Sequence, residues 1–239
     1  MKIKIIPCLQ DNYSYLIINE KNNTACVIDP SEANPIIEYL DNNKIKLKFI
    51  LNTHHHYDHV GGNKRLKEKY GASVVGYRHD KQRIPEIDVL LDDQETWIHE
   101  NFEAKIIYIP GHTLGHICFY FYKEESVFTG DTLFSLGCGK IFEGTYSQMF
   151  DSLMKLKKLP EGTKVYCGHE YTKKNSDFCL THDENNNNLK TKIRHIDAKL
   201  KNGLPTIPST IKDELECNIF LRSGDVETFS KLRDLKDNF

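Results

Sequence analysis

The segment Thr53-His54-His55-His56-Tyr57-Asp58-His59 brings four imidazoles and a carboxylate into seven residues. In extended backbone, residues two apart face the same side. His54 and His56 are thus spaced to grip one metal ion, and a turn just after them presents Asp58 and His59 to a second. Gly61-Gly62 follow at once, which suits tight packing of backbone near such a site. Three later segments share one layout: Ile109-Pro110-Gly111-His112, Phe128-Thr129-Gly130-Asp131 and Tyr166-Cys167-Gly168-His169. Each is a strand-like run, a glycine and a potential ligand, so each predicts a sharp backbone turn that aims the ligand. A single histidine of this kind is more often a hydrogen-bonded or solvated residue. The ensemble is different, because H-x-H-x-D-H is a demanding pattern. Imidazole and carboxylate donors suit Zn, Fe or Mn alike.

The elements that would carry these residues are legible in part. Lys2–Ile6, Tyr15–Ile18, Ala25–Asp29, Lys46–Leu51, Ser73–Tyr77, Lys105–Ile109, Ile117–Tyr122, Ser126–Thr129 and Lys164–Cys167 read as strands. Helical spacing covers Glu32–Leu40, Asn63–Tyr70 and Gln148–Leu156, and Gly71 stands where a helix-ending glycine belongs. Strand and helix in this order predict a layered α/β sandwich with helices outside. The histidine cluster sits at the end of an apolar strand, where α/β folds place sites. Beyond about Glu170 the strand signals fade, and Asn187–Leu200 and Val226–Leu235 look helical around a Leu204–Ser209 connector rich in proline.

Length, 239 residues, fits one large domain or one with a small appendage. The net charge of −2 supplies no basic field for nucleic acid or an anionic membrane. Seven widely spaced cysteines without a C-x-x-C argue for reduced thiols in a cytosolic protein. No apolar run is long enough for a membrane span, and the first residues enter a strand directly, so neither membrane nor targeting segment is expected. A monomer is expected.

T-H-x-H-x-D-H followed by separate G-H, G-D and G-H segments resembles the metallo-β-lactamase superfamily over most of residues 1–170. The resemblance implies an αββα sandwich with two divalent ions, zinc foremost and Fe or Mn open. Carried over residue by residue, His54, His56 and His112 hold the first ion, Asp58, His59 and His169 the second, and Asp131 bridges both. His116 and His55 are then packing or supporting residues. Asp29 is either a carboxylate that orients a ligand histidine from behind or a turn aspartate. His79, His99, His182 and His195 belong at the surface.

Within the superfamily, T-H-H-H-x-D-H, the loop Gly137-Cys138-Gly139-Lys140-Ile141-Phe142-Glu143-Gly144-Thr145, the connector Pro205–Thr210 and the ending Arg233-Asp234-Leu235-Lys236-Asp237-Asn238-Phe239 resemble the glyoxalase II family. That likeness implies a metallo-β-lactamase domain over residues 1–170 and a small helical glutathione-binding domain over 171–239. It also implies hydrolysis of S-(2-hydroxyacyl)glutathione thioesters, with Asp58 and Asp131 at the chemistry and Lys140, Phe142, Tyr171, Arg233 and Lys236 holding glutathione. Some relatives carry tyrosine where Phe142 stands. Arg233 and Lys236, at i and i+3, share a helix face and can clasp a carboxylate. Rivals of the same fold are a persulfide dioxygenase with one redox iron, a β-lactamase with a periplasmic signal and a nuclease with a basic surface. The terminal motif, the direct start and the charge argue against them in turn.

Overall fold

The computed structural model describes all 239 residues. The chain clusters into two compact units, residues 1–108 with 115–124 and residues 109–114 with 125–239.

The first unit opens with β1 (Lys2–Cys8) and β2 (Asn12–Asn19), paired antiparallel with Ile5 opposite Tyr15. β3 (Thr24–Ile28) extends the antiparallel pairing; β4 (Lys46–Leu51), β5 (Ser73–Tyr77) and β6 (Ile87–Leu91) then add in parallel, in chain order. Parallel neighbours need crossovers. These are supplied by α1 (Asn34–Asn42) after β3, and by a short α2 (Tyr57–Val60) and α3 (Asn63–Tyr70) after β4. Pro35 lies in the first turn of α1, where a missing N–H costs nothing. α3 stops at Gly71 in the left-handed conformation, φ 66°, as its sequence leads one to expect.

Ile36, Leu40 and Leu66 of these helices share a core with Leu16, Ile18, Ala25, Val27, Ile50 and Val74 on one face of the sheet. Strand alternation sends Tyr15 and Ile17 to the opposite face, where they are equally buried. That face is covered by an antiparallel ribbon of β7 (Thr96–His99), β8 (Phe102–Tyr108) and β9 (Ile117–Phe121). Phe49 of β4 meets Trp97 edge-on with centroids 5.1 Å apart, and Tyr77 of β5 stacks on Tyr108 at 5.0 Å. Such aromatic pairs are the contact of one sheet on another. Neither β6 nor β7 is expected from alternation. Each has a single fully buried residue, Leu91 or Trp97, so its pattern is faint.

The second unit runs from β10 (Ser126–Gly130) through a tight hairpin, β11 (Leu133–Phe134) and β12 (Gly137–Cys138), to α4 (Tyr146–Lys157) and β13 (Lys164–Cys167). There follow α5 (Thr172–His182), α6 (Asn187–Lys201), β14 (Ser209–Thr210), α7 (Ile211–Cys217), α8 (Ile219–Arg222) and α9 (Val226–Asp237). β13 lies parallel to β10 and antiparallel to β14. Thr145 with Gln148, and Thr210 with Asp213, form reciprocal caps that start α4 and α7. Phe150, Phe229, Phe220 and Phe178, with ring centroids 6.0, 6.0 and 5.8 Å apart in succession, link α4, α9, α8 and α5 into one core. All seven cysteines are buried free thiols. No helix is long and apolar enough to cross a membrane.

Candidate metal centre and anion cavity

In the first unit, β4 ends at Leu51, and the histidine cluster follows it in a bend that leads into α2, not in strand. The rings of His54 and His56 lie 4.7 Å apart, and α2 then turns back so that His59 comes to 4.2 Å from His54. Two of these imidazoles, His54 and His59, are held from behind. Asp29, at φ 45°, accepts from the Thr53 amide (2.8 Å), from the Thr53 hydroxyl (2.6 Å) and from Nδ1 of His59 (3.0 Å). Of the two readings of Asp29, these bonds support the carboxylate that orients a histidine; no local turn is made by its side chain. Donor atoms of Asp29, His54 and His59 lie within 4.8 Å of one another. With both its oxygens already accepting, Asp29 fits the role of fixing the imidazole tautomer so that Nε2 faces an ion.

His54 has its Nδ1 on the Thr53 hydroxyl at 3.0 Å, and the ring of His116 stacks on it at 4.5 Å and 17°. His116 is thus a buried support. His55 turns away to Asp80, 3.2 Å from Nδ1, and Asp80 is also held by Arg83. Asp58 is partly exposed, and Asn12 donates to its Oδ2 (3.0 Å) and its carbonyl (3.1 Å). Its Oδ2 stands 3.7 Å from Nε2 of His59. Asn12 carries no sequence signal beyond being a polar residue at the head of an apolar strand.

The second unit, taken by itself, holds His112, Asp131 and His169, each following its glycine. Gly111 (φ 149°) and Gly130 (φ 48°) adopt the backbone that favours glycine, so the sharp turns are real there; Gly168 has no such φ. Nδ1 of His112 donates to the Lys140 carbonyl at 2.7 Å, leaving Nε2 as the lone-pair nitrogen. Asp131 places Oδ2 3.5 Å from Nε2 of His112 and 3.3 Å from Nε2 of His169. Two donors bound to one tetrahedral ion at ~2.1 Å stand about 3.4 Å apart. The spacing fits co-ligands of a divalent ion around a shared carboxylate. A Cβ on Gly139 would fall 1.8 Å from the Asp131 carbonyl, which explains that glycine in the G-C-G-K stretch.

Beside these ligands the same unit contains a cavity of about 340 Å³, lined among others by Lys140, Tyr171, Lys174, Arg233 and Lys236. Tyr171 stacks on His169 at 4.7 Å and 7°, and Phe142 lies edge-on to His112 at 5.2 Å. Burial, then repulsion from Lys174 and Arg233, pushes the Lys236 ammonium down to about 8. Four cationic side chains, Lys140, Lys174, Arg233 and Lys236, against one carboxylate, Asp237, give the cavity a positive balance. Arg233 differs from the free clasp that its spacing suggests. It is only 5% exposed, donates to the Cys138 carbonyl at 2.8 Å and pairs with Asp237 at 2.9 Å. His79, His99, His182 and His195 are exposed, as expected.

The metallo-β-lactamase superfamily model matches residues 10–169, and the model for the hydroxyacylglutathione hydrolase C-terminus matches residues 170–239. A hydroxyacylglutathione hydrolase of Pelagibacter ubique is 76% identical over 239 residues, covering all of both chains. One from a Synechococcus strain is 44% identical, again with 100% of each chain covered. Among solved structures, ETHE1 from Myxococcus xanthus superimposes with a TM-score of 0.75 over 98% of this chain and 90% of its own; at 24% identity this speaks for the fold alone. The fold is that of the metallo-β-lactamases, with a helical C-terminal region. By both halves of its sequence, the chain belongs to the metallo-β-lactamase superfamily and, within it, to the hydroxyacylglutathione hydrolase family.

Proposed function

We propose that the protein hydrolyses S-(2-hydroxyacyl)glutathione thioesters, S-D-lactoylglutathione above all, to glutathione and the hydroxy acid: the second step of methylglyoxal detoxification. The observation that carries this is the basic cavity beside the His112–Asp131–His169 ligands, in a chain whose residues 170–239 match the hydrolase-specific C-terminus. That match also disfavours the oxygenase reading of the same fold. In this reading His54, His56 and His112 hold one ion, Asp58, His59 and His169 a second, and Asp131 is shared. Zinc is the expected metal. Residues 1–170 form the metal-binding domain and 171–239 the glutathione-binding domain of a cytosolic monomer.

When bound, divalent ions lower the pKa of a water toward ~7 and polarise a carbonyl oxygen. The chain's own groups do the rest. Asp29, Thr53 and the Lys140 carbonyl fix the tautomers of the ligand histidines. Asp58, steadied by Asn12 and partly exposed, is placed to accept a proton from water. The leaving group is a thiolate, whose conjugate acid has a pKa near ~8.5, so no strong general acid is needed. Lys140, Phe142, Tyr171, Arg233 and Lys236 hold the glutathione moiety, Arg233 chiefly by securing the wall of the cavity.

The test is a thioester assay combined with elemental analysis of protein purified without chelator. Hydrolysis of lactoylglutathione with about two metal ions per chain is expected. Metal-loaded protein that leaves the thioester intact ends the proposal.

Lys236 offers a sharper check on the substrate. A charge-assisted hydrogen bond contributes ~1.5–3 kcal/mol, so Lys236→Ala is expected to raise KM about 10-fold to 150-fold with kcat little changed. A small thioester without glutathione carboxylates should be hydrolysed equally by both proteins. The ammonium is charged below about 8 and neutral above it. Wild-type kcat/KM should thus fall as pH rises through that value, and Lys236→Arg should flatten the fall. Equal losses on both substrates would remove Lys236 from glutathione recognition.

A further inference from the structure

The hairpin between β11 and β12 has an unusual source of hydrogen bonds. Its backbone is satisfied largely by side chains from the helices that follow. Asn175 of α5 donates to the Ser135 carbonyl (3.1 Å), Cys179 of α5 to the Leu136 carbonyl (3.1 Å) and Arg233 of α9 to the Cys138 carbonyl (2.8 Å). Glu214 of α7 accepts from the Leu136 amide at 2.8 Å. Asn218, between α7 and α8, donates both to Glu214 (2.9 Å) and to the Gly137 carbonyl (3.1 Å). Leu136 is held at φ 59°, a conformation that a β-carbon disfavours. Something must over-determine it, and Glu214 is the group that grips its amide.

From this hairpin the chain passes through Gly139 straight to Lys140, whose side chain lines the cavity. We propose that Glu214 is a positioning residue for substrate binding: through Leu136 directly, and through Gly137 by way of Asn218, it sets the loop that presents Lys140. Glu214 touches no ligand of the metal centre and does not line the cavity. It is fully buried, and burial pushes its carboxyl up to about 7, while Ser209, then Asn218 and the Leu136 amide, hold it back. The acid and its anion can each accept at the oxygen facing Leu136. What the loop needs from this residue is an acceptor at a fixed point. A glutamine supplies one at the same place.

The kinetic part of the test rests on the thioesterase reading; the exchange part does not. Three variants serve: Glu214→Ala, Glu214→Gln and Asn218→Ala. Glu214→Ala strands the buried Leu136 donor. Its amide should exchange hydrogen about tenfold faster or more, with neighbouring loop amides following. KM for lactoylglutathione should rise about tenfold with metal content held, and any fall in kcat should be smaller, because the Lys140 carbonyl also holds Nδ1 of His112. Glu214→Gln should restore both readouts to near wild type. Asn218→Ala, which leaves the Glu214–Leu136 bond in place, should shift KM in the same direction and covers the case in which the alanine at 214 prevents folding. Unchanged exchange and KM in Glu214→Ala would overturn the proposal. So would a glutamine variant as impaired as the alanine one, or equal losses on glutathione and small thioesters, since these point to charge or to general stability. If wild-type protein hydrolyses no glutathione thioester, the functional reading fails and exchange at Leu136 still decides the role of Glu214.

Discussion

Asp131→Ala is expected to strip the centre of metal and to abolish turnover together. Its carboxylate stands 3.5 and 3.3 Å from Nε2 of His112 and Nε2 of His169, so it reaches two imidazoles of the second unit. Without it the two histidines lose the negative charge that makes the pair a good divalent site. Lewis-acid catalysis contributes several kcal/mol, and ~4 kcal/mol is about 10³-fold in rate. Elemental analysis should show depleted metal, and kcat/KM should fall at least that far. The fold should survive, because the strands that carry Asp131 rest on Val127 and Phe128, not on the carboxylate. A variant that retains full metal and near-wild-type turnover would take Asp131 out of the centre.

Asp58→Asn should separate metal binding from proton transfer. Asparagine is nearly isosteric, and Asn12 can still donate to its carbonyl oxygen, so packing should hold. It brings no negative charge and accepts no proton. The expected loss is ~10²-fold or more in kcat, with KM little changed, measured on protein whose metal content has been verified. Wild-type kcat at full occupancy would leave Asp58 with neither role.

How much of this was readable beforehand follows from where the information lies along the chain. The H-x-H-x-D-H run is legible because its imidazoles are crowded into a few residues just after an apolar strand, and its rings do converge. α3 is legible because Gly71 marks its end. α5 is not, for a physical reason. Its buried positions include Thr172, Asn175 and Ser176, and Asn175 is inside because it serves backbone of the hairpin. An inward face that mixes these with Phe178 and Cys179 shows only a broken apolar stripe. The same blindness hid Asn12 and Glu214: each acts on a segment distant in sequence, and a lone polar residue announces no such partner. Arg233 shows a further limit. Spacing of i and i+3 tells that two cations share a face, but not that Cys138 and Asp237 already engage Arg233 or that Lys236 donates to the Lys174 carbonyl.

The buried thiols have a practical consequence. Desolvation pushes Cys167, Cys179 and Cys217 up to about 12, so in the native fold they are poor nucleophiles as well as inaccessible. A thiol-alkylating reagent can therefore label the protein only as fast as the fold opens. Cys8, Cys26 and Cys118 belong to the first compact unit, and Cys138, Cys167, Cys179 and Cys217 to the second. Each unit thus contains its own chemical clock. Mass mapping of alkylated peptides over time would read their opening rates separately, in native buffer and without any engineered probe.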